Sequence, residues 1–375
     1  MNYSDFVLLA VFSIFFIAES ILFSAKGTVV IYSNSLKKWK YKISDKLPYF
    51  GGKYISLRNI FPPLGVSIVC GSFPLIFSEQ GFLKNPMSYK YGIADSGDLY
   101  IRYSDVREVT SSGSDLIING KKFCLMNNES EADRWKETIM ELVKSHPGNR
   151  KKKIEEVISL VFNSAEAEIK LKGILKATRF LRFLLNILYV YLFAFSPVCV
   201  YLFTLGNSAV YLLTGLLAIH LSAILMYIRA YRKSIPEKKL QWTVMISAAI
   251  FPPGLIRSID HFFTQTFILY NPLALAFACT GKEVSEELAS FLIREYSYFR
   301  FESNDKIQNE MITEFRAVML NEIKKILKKK KMDYDSLVRP PEKSVNSVSY
   351  CPKCLCQYVN ESLKCMDCNI KLIKY

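Results

Sequence analysis

Histidine is scarce in this sequence, with three residues in a chain of 375. Histidine supplies many general acids, general bases and metal ligands, so its scarcity excludes most of the usual catalytic and metal-centre designs. The chain also lacks a Gly-rich phosphate loop, a Gly-x-Ser-x-Gly elbow and a His-Glu-x-x-His motif. These absences favour a protein without enzymatic activity.

Charged residues are also few, at 22% of the chain, whereas 50% of the residues are hydrophobic and 14% are aromatic. A mean hydropathy of +0.15 is too apolar for an ordinary cytosolic protein and is far from that of a disordered chain. The length allows two or three domains. Lys and Arg outnumber Asp and Glu by 49 to 34, and the resulting net charge of +15 suits anionic lipid headgroups. We therefore expect a membrane protein.

The first apolar stretch, 6–24, predicts a transmembrane anchor. Its apolar part is about 27 Å long as a helix, close to the hydrocarbon thickness of a bilayer. A cleaved signal peptide is the alternative, but the preceding residues carry Asp5 and no basic group. Lysines follow the stretch between positions 26 and 46, so the positive-inside rule places the N-terminus outside and the next segment in the cytoplasm.

A second apolar region, 183–228, predicts a transmembrane hairpin. Basic residues precede and follow it, and its turn is uncharged, so both flanks are expected on the cytoplasmic side. Pro197 lies in the first arm of this hairpin. Because proline removes a backbone hydrogen bond, we expect a kink there that is repaired locally.

A third region, 240–279, predicts a Pro-interrupted pair of membrane-embedded helices. Pro252 and Pro253 break its apolar sequence, so the pair is a transmembrane hairpin, a re-entrant pair or two interfacial helices. Both helices cross the bilayer or neither does, which gives five or three spans with the C-terminus in the cytoplasm. If they cross, Arg257 and Asp260 are expected at the outer face.

Residues 40–148 predict a cytoplasmic β domain that ends in one helix. Short runs rich in Ile, Tyr and Val alternate with turn residues, and the predicted strands are 74–78, 89–94, 98–103, 106–110 and 116–118. Asn119 and Gly120 form the strongest hairpin signal, because a type I′ turn needs positive φ at both central positions. A helical apolar pattern that contains Trp135 follows and ends at Pro147.

This order of short strands and a closing helix resembles bacterial pleckstrin-homology-like (PH-like) and GRAM-like domains. The segments that carry the resemblance are 77–83, 99–109, 116–123 and 130–135, and the Tyr-Ser-Asp-Val step at 103–106 is the most characteristic. The resemblance covers residues 70–146. It implies a binding module for a peptide, a lipid headgroup or another copy of the chain, with Trp135 plugging the barrel.

The clearest chemical signal lies in residues 350–375, where two Cys-x-x-Cys motifs are separated by ten residues. Their cysteines are Cys351, Cys354, Cys365 and Cys368. Each motif forms a knuckle that can turn two thiolates toward one tetrahedral Zn²⁺. A segment this short cannot bury a core of its own, so zinc would supply its folding free energy, about 10–16 kcal/mol. Four thiolates leave no open position for water, so the predicted zinc is structural rather than catalytic.

This segment resembles the short zinc ribbons found at the termini of bacterial proteins. Tyr358 and Leu372 occupy the apolar positions that the resemblance implies. Leu355 and Asn369 follow the two knuckles, where glycine is common. Asparagine tolerates a left-handed backbone, whereas leucine costs more.

Cys356 is a fifth thiol beside the four predicted ligands. It is a ligand, a free thiol, the partner of Cys351 in a disulfide, or a redox-active group. Disulfides would also explain the whole cluster, but a cytoplasmic location argues against them.

Residues 281–331 predict two amphipathic, basic helices. Ile312 and Phe315 begin an apolar stripe on the second helix, which therefore needs a partner surface. Six lysines end that helix: Lys324, Lys325, Lys328, Lys329, Lys330 and Lys331. They form a solvated helix end, or they bind the membrane surface with about 1 kcal/mol per lysine. Residues 149–182 predict a basic linker or helix, and 332–349 a linker that separates the ribbon from the rest.

Glu19 and His220 are ionisable residues within apolar helices, where such groups are costly and tend to be paired or functional. Counted from the basic flanks, their depths in the bilayer differ by about 3 Å. We hypothesise that they pair across helices. The alternative is that Glu19 is protonated or reaches the interface, and that His220 bonds a neighbouring carbonyl.

The sequence thus predicts an α+β multidomain integral membrane protein with transmembrane helices, a small PH-like β-barrel or sandwich domain and a zinc ribbon. The expected function is that of a non-enzymatic bacterial inner-membrane protein that recruits or senses cytoplasmic partners. Its expected partners are the lipid bilayer, anionic headgroups and a cytoplasmic protein, and its expected cofactor is structural Zn²⁺.

Two other functions stay open. A transporter or pore would use the region 240–279, because discontinuous helices often line binding sites, although the sequence shows few certain spans and no repeat. A nucleic-acid-binding protein would use the basic helix and the ribbon. Nucleic acid is the less favoured partner, because the lysine run lacks interleaved aromatic residues.

Overall fold

The computed structural model describes most of the chain. The described residues are 3–24, 29–32, 39–42, 66–69, 73–86, 99–126, 129–202, 209–234, 242–279, 282–299, 304–359 and 362–375. The predicted strand 89–94, the turn of the predicted transmembrane hairpin and the side chain of Glu19 lie outside this description. The chain divides into unit 1, Met1–Gly71 with Ala165–Cys279, and unit 2, Ser72–Ser164 with Thr280–Tyr375.

Helices and short strands alternate along the chain. The helices are α1 (Tyr3–Ser24), α2 (Glu129–Lys144), α3 (Pro147–Val161), α4 (Ser164–Ala177), α5 (Arg179–Val190), α6 (Ser196–Leu202), α7 (Ala209–Ser234), α8 (Trp242–Ile250), α9 (Pro252–Phe267), α10 (Pro272–Cys279), α11 (Lys282–Tyr298), α12 (Lys306–Lys329) and α13 (Tyr334–Leu337). The strands are β1 (Val29–Tyr32), β2 (Trp39–Lys42), β3 (Val66–Val69), β4 (Leu75–Phe77), β5 (Gly81–Lys84), β6 (Tyr100–Arg102), β7 (Val109–Ser112), β8 (Asp115–Ile118), β9 (Lys121–Leu125), β10 (Ser349–Tyr350), β11 (Gln357–Tyr358) and β12 (Ile373–Lys374).

Unit 1 contains a helical hairpin whose first arm is continuous through α5, a π-helical segment at Tyr191–Phe195, and α6. Pro197 has no N–H, and its ring would clash with the carbonyl four residues earlier in a regular helix. That carbonyl belongs to the π-helical segment, whose wider turn accommodates the proline. The local adjustment expected at Pro197 is therefore a π-helical turn.

The two arms of the hairpin approach closely at Tyr191 and Gly215. The Tyr191 hydroxyl donates a hydrogen bond to the Leu212 carbonyl at 2.8 Å. A Cβ atom added at Gly215 would lie 2.7 Å from the Tyr191 hydroxyl oxygen, so a larger residue there would displace the tyrosine. Glycine at this position therefore leaves room for the tyrosine hydroxyl.

Helix α9 is buried along most of its length, with Leu255, Ile259 and Phe263 in the core of unit 1. Its charged residues are buried as well. Arg257 Nη1 lies 2.8 Å from Asp260 Oδ2, and the two side chains are 6% and 0% exposed. Their mutual ion pair lets both residues enter the protein interior, and their expected position at an outer membrane face stays a prediction.

The predicted fold class is also wrong. Of the residues that the structure describes, 67% are helical and the sheets are small, so this is not the predicted α+β protein. Within the described residues, two helices, 179–202 and 209–234, are long and apolar enough to cross a membrane, rather than three or five. The part of α1 whose side chains the structure describes, Asp5–Ala18, is shorter than a span, and the region 240–279 forms three short helices. The hydropathy of the sequence indicated membrane contact for many residues that, in the structure, are buried in the core of unit 1.

Unit 2 begins with two three-stranded antiparallel sheets, in the orders β4-β5-β6 and β7-β8-β9, and α2 follows them. The predicted hairpin is confirmed, because β8 and β9 pair across Asn119 and Gly120, whose φ values are 51° and 74°. The Asn119 side-chain oxygen also accepts hydrogen bonds from the amides of Arg107 and Glu108, at 2.8 and 3.1 Å. The asparagine thus supplies both the left-handed backbone and the partner for two neighbouring amides.

Helix α2 packs its apolar face on these sheets. Trp135 is buried. Its ring stacks on that of Phe77 at 5.6 Å and lies tilted at 5.9 Å from that of Phe73. Phe73 also contacts Phe315 of α12 at 5.6 Å. The apolar stripe of α12 therefore has its predicted partner surface, and its members Ile312, Phe315, Met319, Ile323 and Ile326 are all buried.

Candidate metal centre

The C-terminal ribbon is a three-stranded antiparallel sheet, in the order β11-β10-β12, with two chain turns that have the same hydrogen bonds. The Leu355 amide donates to the Cys351 carbonyl at 2.9 Å, and the Asn369 amide donates to the Cys365 carbonyl at 2.9 Å. Leu355 and Asn369 have φ values of 62° and 52°. Each Cys-x-x-Cys motif thus forms a knuckle, with the left-handed residue expected after it.

The two knuckles bring the four predicted cysteines together. The sulfur atoms of Cys351, Cys354, Cys365 and Cys368 all lie within 4.8 Å of one another. Cys351 and Cys365 are buried, and the Cys354 and Cys365 sulfurs are 3.7 Å apart. In a tetrahedral four-thiolate site the sulfurs are about 3.8 Å apart, so the cluster is compatible with one metal ion.

Tyr358 on β11 supplies a hydrogen bond to this cluster. Its hydroxyl donates to Cys365 Sγ at 3.2 Å. Burial opposes ionisation of Cys365, but the bonds from Tyr358 and from the amides of Cys368 and Asp367 lower the pKa of its thiol to about 7. Burial raises the pKa of each of the other three thiols. Cys365 is therefore the thiol that ionises first.

Cys356 is exposed and is not one of the four clustered thiols. Both Cys356 and Cys351 are free thiols, so the predicted alternative of a disulfide between them is not what the structure contains. Their backbones meet instead, since the Cys351 amide donates to the Cys356 carbonyl at 2.9 Å. Cys356 thus contributes to the knuckle through its backbone.

Polar contacts hold the ribbon to the helices of unit 2. Lys353, within the first knuckle, lies 3.4 Å from Glu295 of α11, and both side chains are about three-quarters buried.

The Ser290 hydroxyl donates to the Leu337 carbonyl at 2.6 Å, which joins α11 to α13. Gln357 of β11 accepts from the Ser344 amide at 2.9 Å. The segment 332–349, predicted to be a linker, thus has contacts at both of its ends.

The six lysines predicted to bind the membrane surface lie at the end of α12 and just after it, and all are exposed. Some of them contact neighbours within unit 2. Lys325 pairs with Glu322 at 2.6 Å, and Lys324 lies 4.7 Å above the ring of Tyr334. Lys325 and Glu322 also line a groove of about 450 Å³ between α3 and α12. Some of the positive charges at this helix end therefore interact with side chains of unit 2.

His220, the predicted partner of Glu19, is buried in unit 1, and its Nε2 lies 3.1 Å from the Ala249 carbonyl. This contact agrees with the alternative that the histidine bonds a neighbouring carbonyl. Because the side chain of Glu19 is outside the described residues, the predicted pair stays a prediction.

Sequence reasoning missed three side-chain contacts: Tyr358 with Cys365, Lys353 with Glu295, and the buried pair of Arg257 and Asp260. The first could have been found, because a tyrosine between two knuckles can reach a ligand sulfur. The second joins residues far apart in sequence, and no pattern indicates it. The third has an i, i+3 spacing typical of helical ion pairs, but its burial has no sequence signal.

Comparison with known proteins adds no family to this description. No family model, curated protein or solved structure matches the chain.

Proposed function

We propose that this chain is a non-enzymatic, membrane-attached protein that binds cytoplasmic partners in a bacterial cell. The hairpin of residues 179–202 and 209–234 attaches it to the inner membrane. Unit 2 presents its two three-stranded sheets and the ribbon, which holds a structural Zn²⁺, to those partners.

The observation that carries the proposal is the exposed apolar surface of the hairpin. Of the most apolar stretch in each arm, 28% and 17% is buried within the protein. On the second arm Leu213, Leu217, Leu221 and Leu225 are all exposed and recur every four residues, so they form one continuous face. The core helix of a water-soluble protein would bury such a face, whereas hydrocarbon covers it in a bilayer.

The charges beside the hairpin support the proposed orientation. Lys176 precedes the first arm and Arg179 begins it. The last turns of the second arm contain Arg229, Arg232 and Lys233. Basic residues at both ends of a helical hairpin favour a cytoplasmic location for both ends. The location of the N-terminus outside the membrane stays a prediction.

The thiol cluster supports a structural role for the metal. Cys351, Cys354, Cys365 and Cys368 would hold Zn²⁺, which prefers four thiolates in closed, tetrahedral sites. The ion would supply the cross-link that a ribbon with so few buried apolar residues needs. The ribbon is also joined to α11 through Lys353 and Glu295, so a partner would meet a preformed surface.

Alkaline carbonate extraction of cell membranes tests the attachment. We expect the full chain to stay in the membrane pellet, and L217R/L221R to leave it, because each arginine within a bilayer costs about 3 kcal/mol. L160R, at a leucine 50% exposed on α3 of unit 2, is the matched control and should stay in the pellet. Release of the unmodified chain by carbonate would contradict the proposal.

Cross-linking in cells tests the binding role. C354S/C368S removes half of the metal ligands and should abolish cross-linked partners. C356S changes an exposed thiol of the same segment outside the cluster and should keep them. If both variants give the unmodified pattern of partners, the ribbon does not recruit them. Transport and nucleic-acid binding stay predictions, and these two experiments do not test them.

A further inference from the structure

The ribbon exposes apolar side chains on the loop that leads into its second knuckle. Leu363 and Met366 are 82% and 89% exposed, and Val359, at the start of the loop, is 62% exposed. The ribbon's own apolar cluster consists of other residues, including Cys351, Cys365 and Leu372. Folding of the ribbon therefore leaves this apolar tip in contact with solvent.

Two lysines lie beside the tip. Lys364 and Lys371 are directly opposite each other in an isolated antiparallel β-bridge, so their side chains project from the same face with Cβ atoms about 5 Å apart. Both are exposed, and among the residues that the structure describes no carboxylate forms an ion pair with either. Like charges opposite each other are unfavourable unless an anion lies between them.

We infer that this tip binds the surface of an anionic lipid bilayer. Leu363 and Met366 insert among the acyl chains just below the headgroups, and the bridged pair of Lys364 and Lys371 binds headgroup phosphates. The inference rests on the proposed function, because it requires the ribbon to reach a membrane. It extends that proposal from the hairpin to a second, lipid-specific contact.

The arrangement of apolar and positively charged side chains at the tip favours a bilayer as its partner. Two highly exposed side chains, Leu363 and Met366, are apolar, and the positive charges stand next to them in the adjoining bridge. A bilayer has the complementary order, with negative headgroups at its surface and hydrocarbon beneath. An acidic protein segment would complement the charge and would need its own apolar pocket for Leu363 and Met366.

Amide hydrogen exchange tests this contact on the full, zinc-loaded chain. The chain is reconstituted in nanodiscs of phosphatidylcholine alone or with about one-third phosphatidylglycerol. We expect exchange in residues 362–372 to be about tenfold slower in the anionic discs, because each tip residue and each lysine adds to binding. Exchange in α2 should be the same in both and reports on the fold of unit 2.

The L363D/M366D and K364E/K371E variants should each lose the protection given by anionic lipid while retaining one zinc per chain. V345D is the matched control, because Val345 is apolar and 98% exposed but lies outside the tip. Its protection should be unchanged.

Equal exchange of the tip in both lipid mixtures would overturn the inference. So would protection that appears in detergent and depends on a co-purified protein, which would assign the tip to a protein partner. A chain that stays in the carbonate pellet but has an unprotected tip contradicts this inference alone. A chain that carbonate releases contradicts the proposed function first.

Discussion

The hydroxyl of Tyr358 donates a hydrogen bond to the sulfur of Cys365 at 3.2 Å, and the same hydroxyl accepts one from the Met366 amide at 3.2 Å. The amide polarises the hydroxyl, and the hydroxyl stabilises negative charge on the sulfur. Tyr358 thereby orients one predicted metal ligand without binding the metal itself, the role that hydrogen-bond partners of ligands commonly have.

Removal of this hydroxyl should weaken zinc binding. Tyr358→Phe keeps the ring but leaves Cys365 without its side-chain donor, so we expect about a tenfold loss of zinc affinity. Competition with a chromophoric chelator measures it. Tyr350→Phe, on the neighbouring strand, should leave the affinity unchanged. Equal affinities of Tyr358→Phe and the unmodified chain would show that the hydroxyl does not support the ligand.

The left-handed backbone at Leu355 should be a source of instability. Its φ of 62° is unfavourable for a residue with a Cβ atom, so Leu355→Gly should raise the free energy of ribbon unfolding by about 1 kcal/mol. Asn369→Gly, at φ 52°, should change it by only a few tenths of a kcal/mol, because asparagine tolerates this conformation. Chelator-induced unfolding measures both. A destabilising Leu355→Gly would mean that the leucine side chain contributes more than its backbone costs.

Zinc removal should unfold the ribbon and leave the sheets of unit 2 intact. The ribbon's apolar cluster is small and includes ligand cysteines, so without the metal it cannot offset the entropy of the chain. We expect a chelator to remove hydrogen-exchange protection from residues 349–375. Protection of α2, whose Trp135 and Ile139 are buried, should persist. Protection of the ribbon that survives zinc removal would contradict a structural role for the metal.

The ion pair of Lys353 and Glu295 should couple the ribbon to α11. Because both side chains are mostly buried, a double-mutant cycle with Lys353→Met and Glu295→Gln should give a coupling energy of about 1 kcal/mol. The same cycle on Lys282 and Glu286, where the lysine is 75% exposed, should give less than half of that. Urea unfolding of the zinc-loaded chain measures both cycles. A coupling near zero for Lys353 and Glu295 would show that the ribbon is held by other contacts.

The close approach at Gly215 should make that position intolerant of a side chain. Gly215→Ala places a Cβ atom 2.7 Å from the Tyr191 hydroxyl and should destabilise the hairpin by about 2 kcal/mol. Adding Tyr191→Phe removes the clashing oxygen and should recover part of this loss. Gly173→Ala, in α4 with open space around it, should be neutral or stabilising. Thermal unfolding in detergent compares the variants, and a neutral Gly215→Ala would contradict the close approach.

Local chemistry accounts for what sequence reasoning predicted well. The turn at Asn119 and Gly120, the left-handed residues Leu355 and Asn369, and the clustering of four cysteines all depend on a few neighbouring residues. Backbone sterics and ligand spacing restrict such features to few conformations, so they are legible in the residue types. The apolar stripe of α12 was predictable for the same reason, since helical periodicity depends on spacing alone.

The number of membrane segments was not predictable in this way. Hydropathy is a property of a segment, whereas exposure depends on what the rest of the chain places around it. Helix α9 is apolar at Leu255 and Phe263 yet buries Arg257 against Asp260, a combination that a hydropathy count assigns to a membrane boundary. The helix is instead surrounded by other helices and by β3 of unit 1.

The amino-acid sequence by itself determined the knuckles, their four thiols, the hairpin turn and the excess of positive charge, because each follows from the chemistry of adjacent residues. Only the tertiary structure decided which apolar helices keep an exposed face, that Tyr358 reaches Cys365, and that Lys353 meets Glu295. These relationships join distant parts of the chain or depend on what surrounds a segment, and their geometry is set by packing of the whole unit rather than by any local pattern.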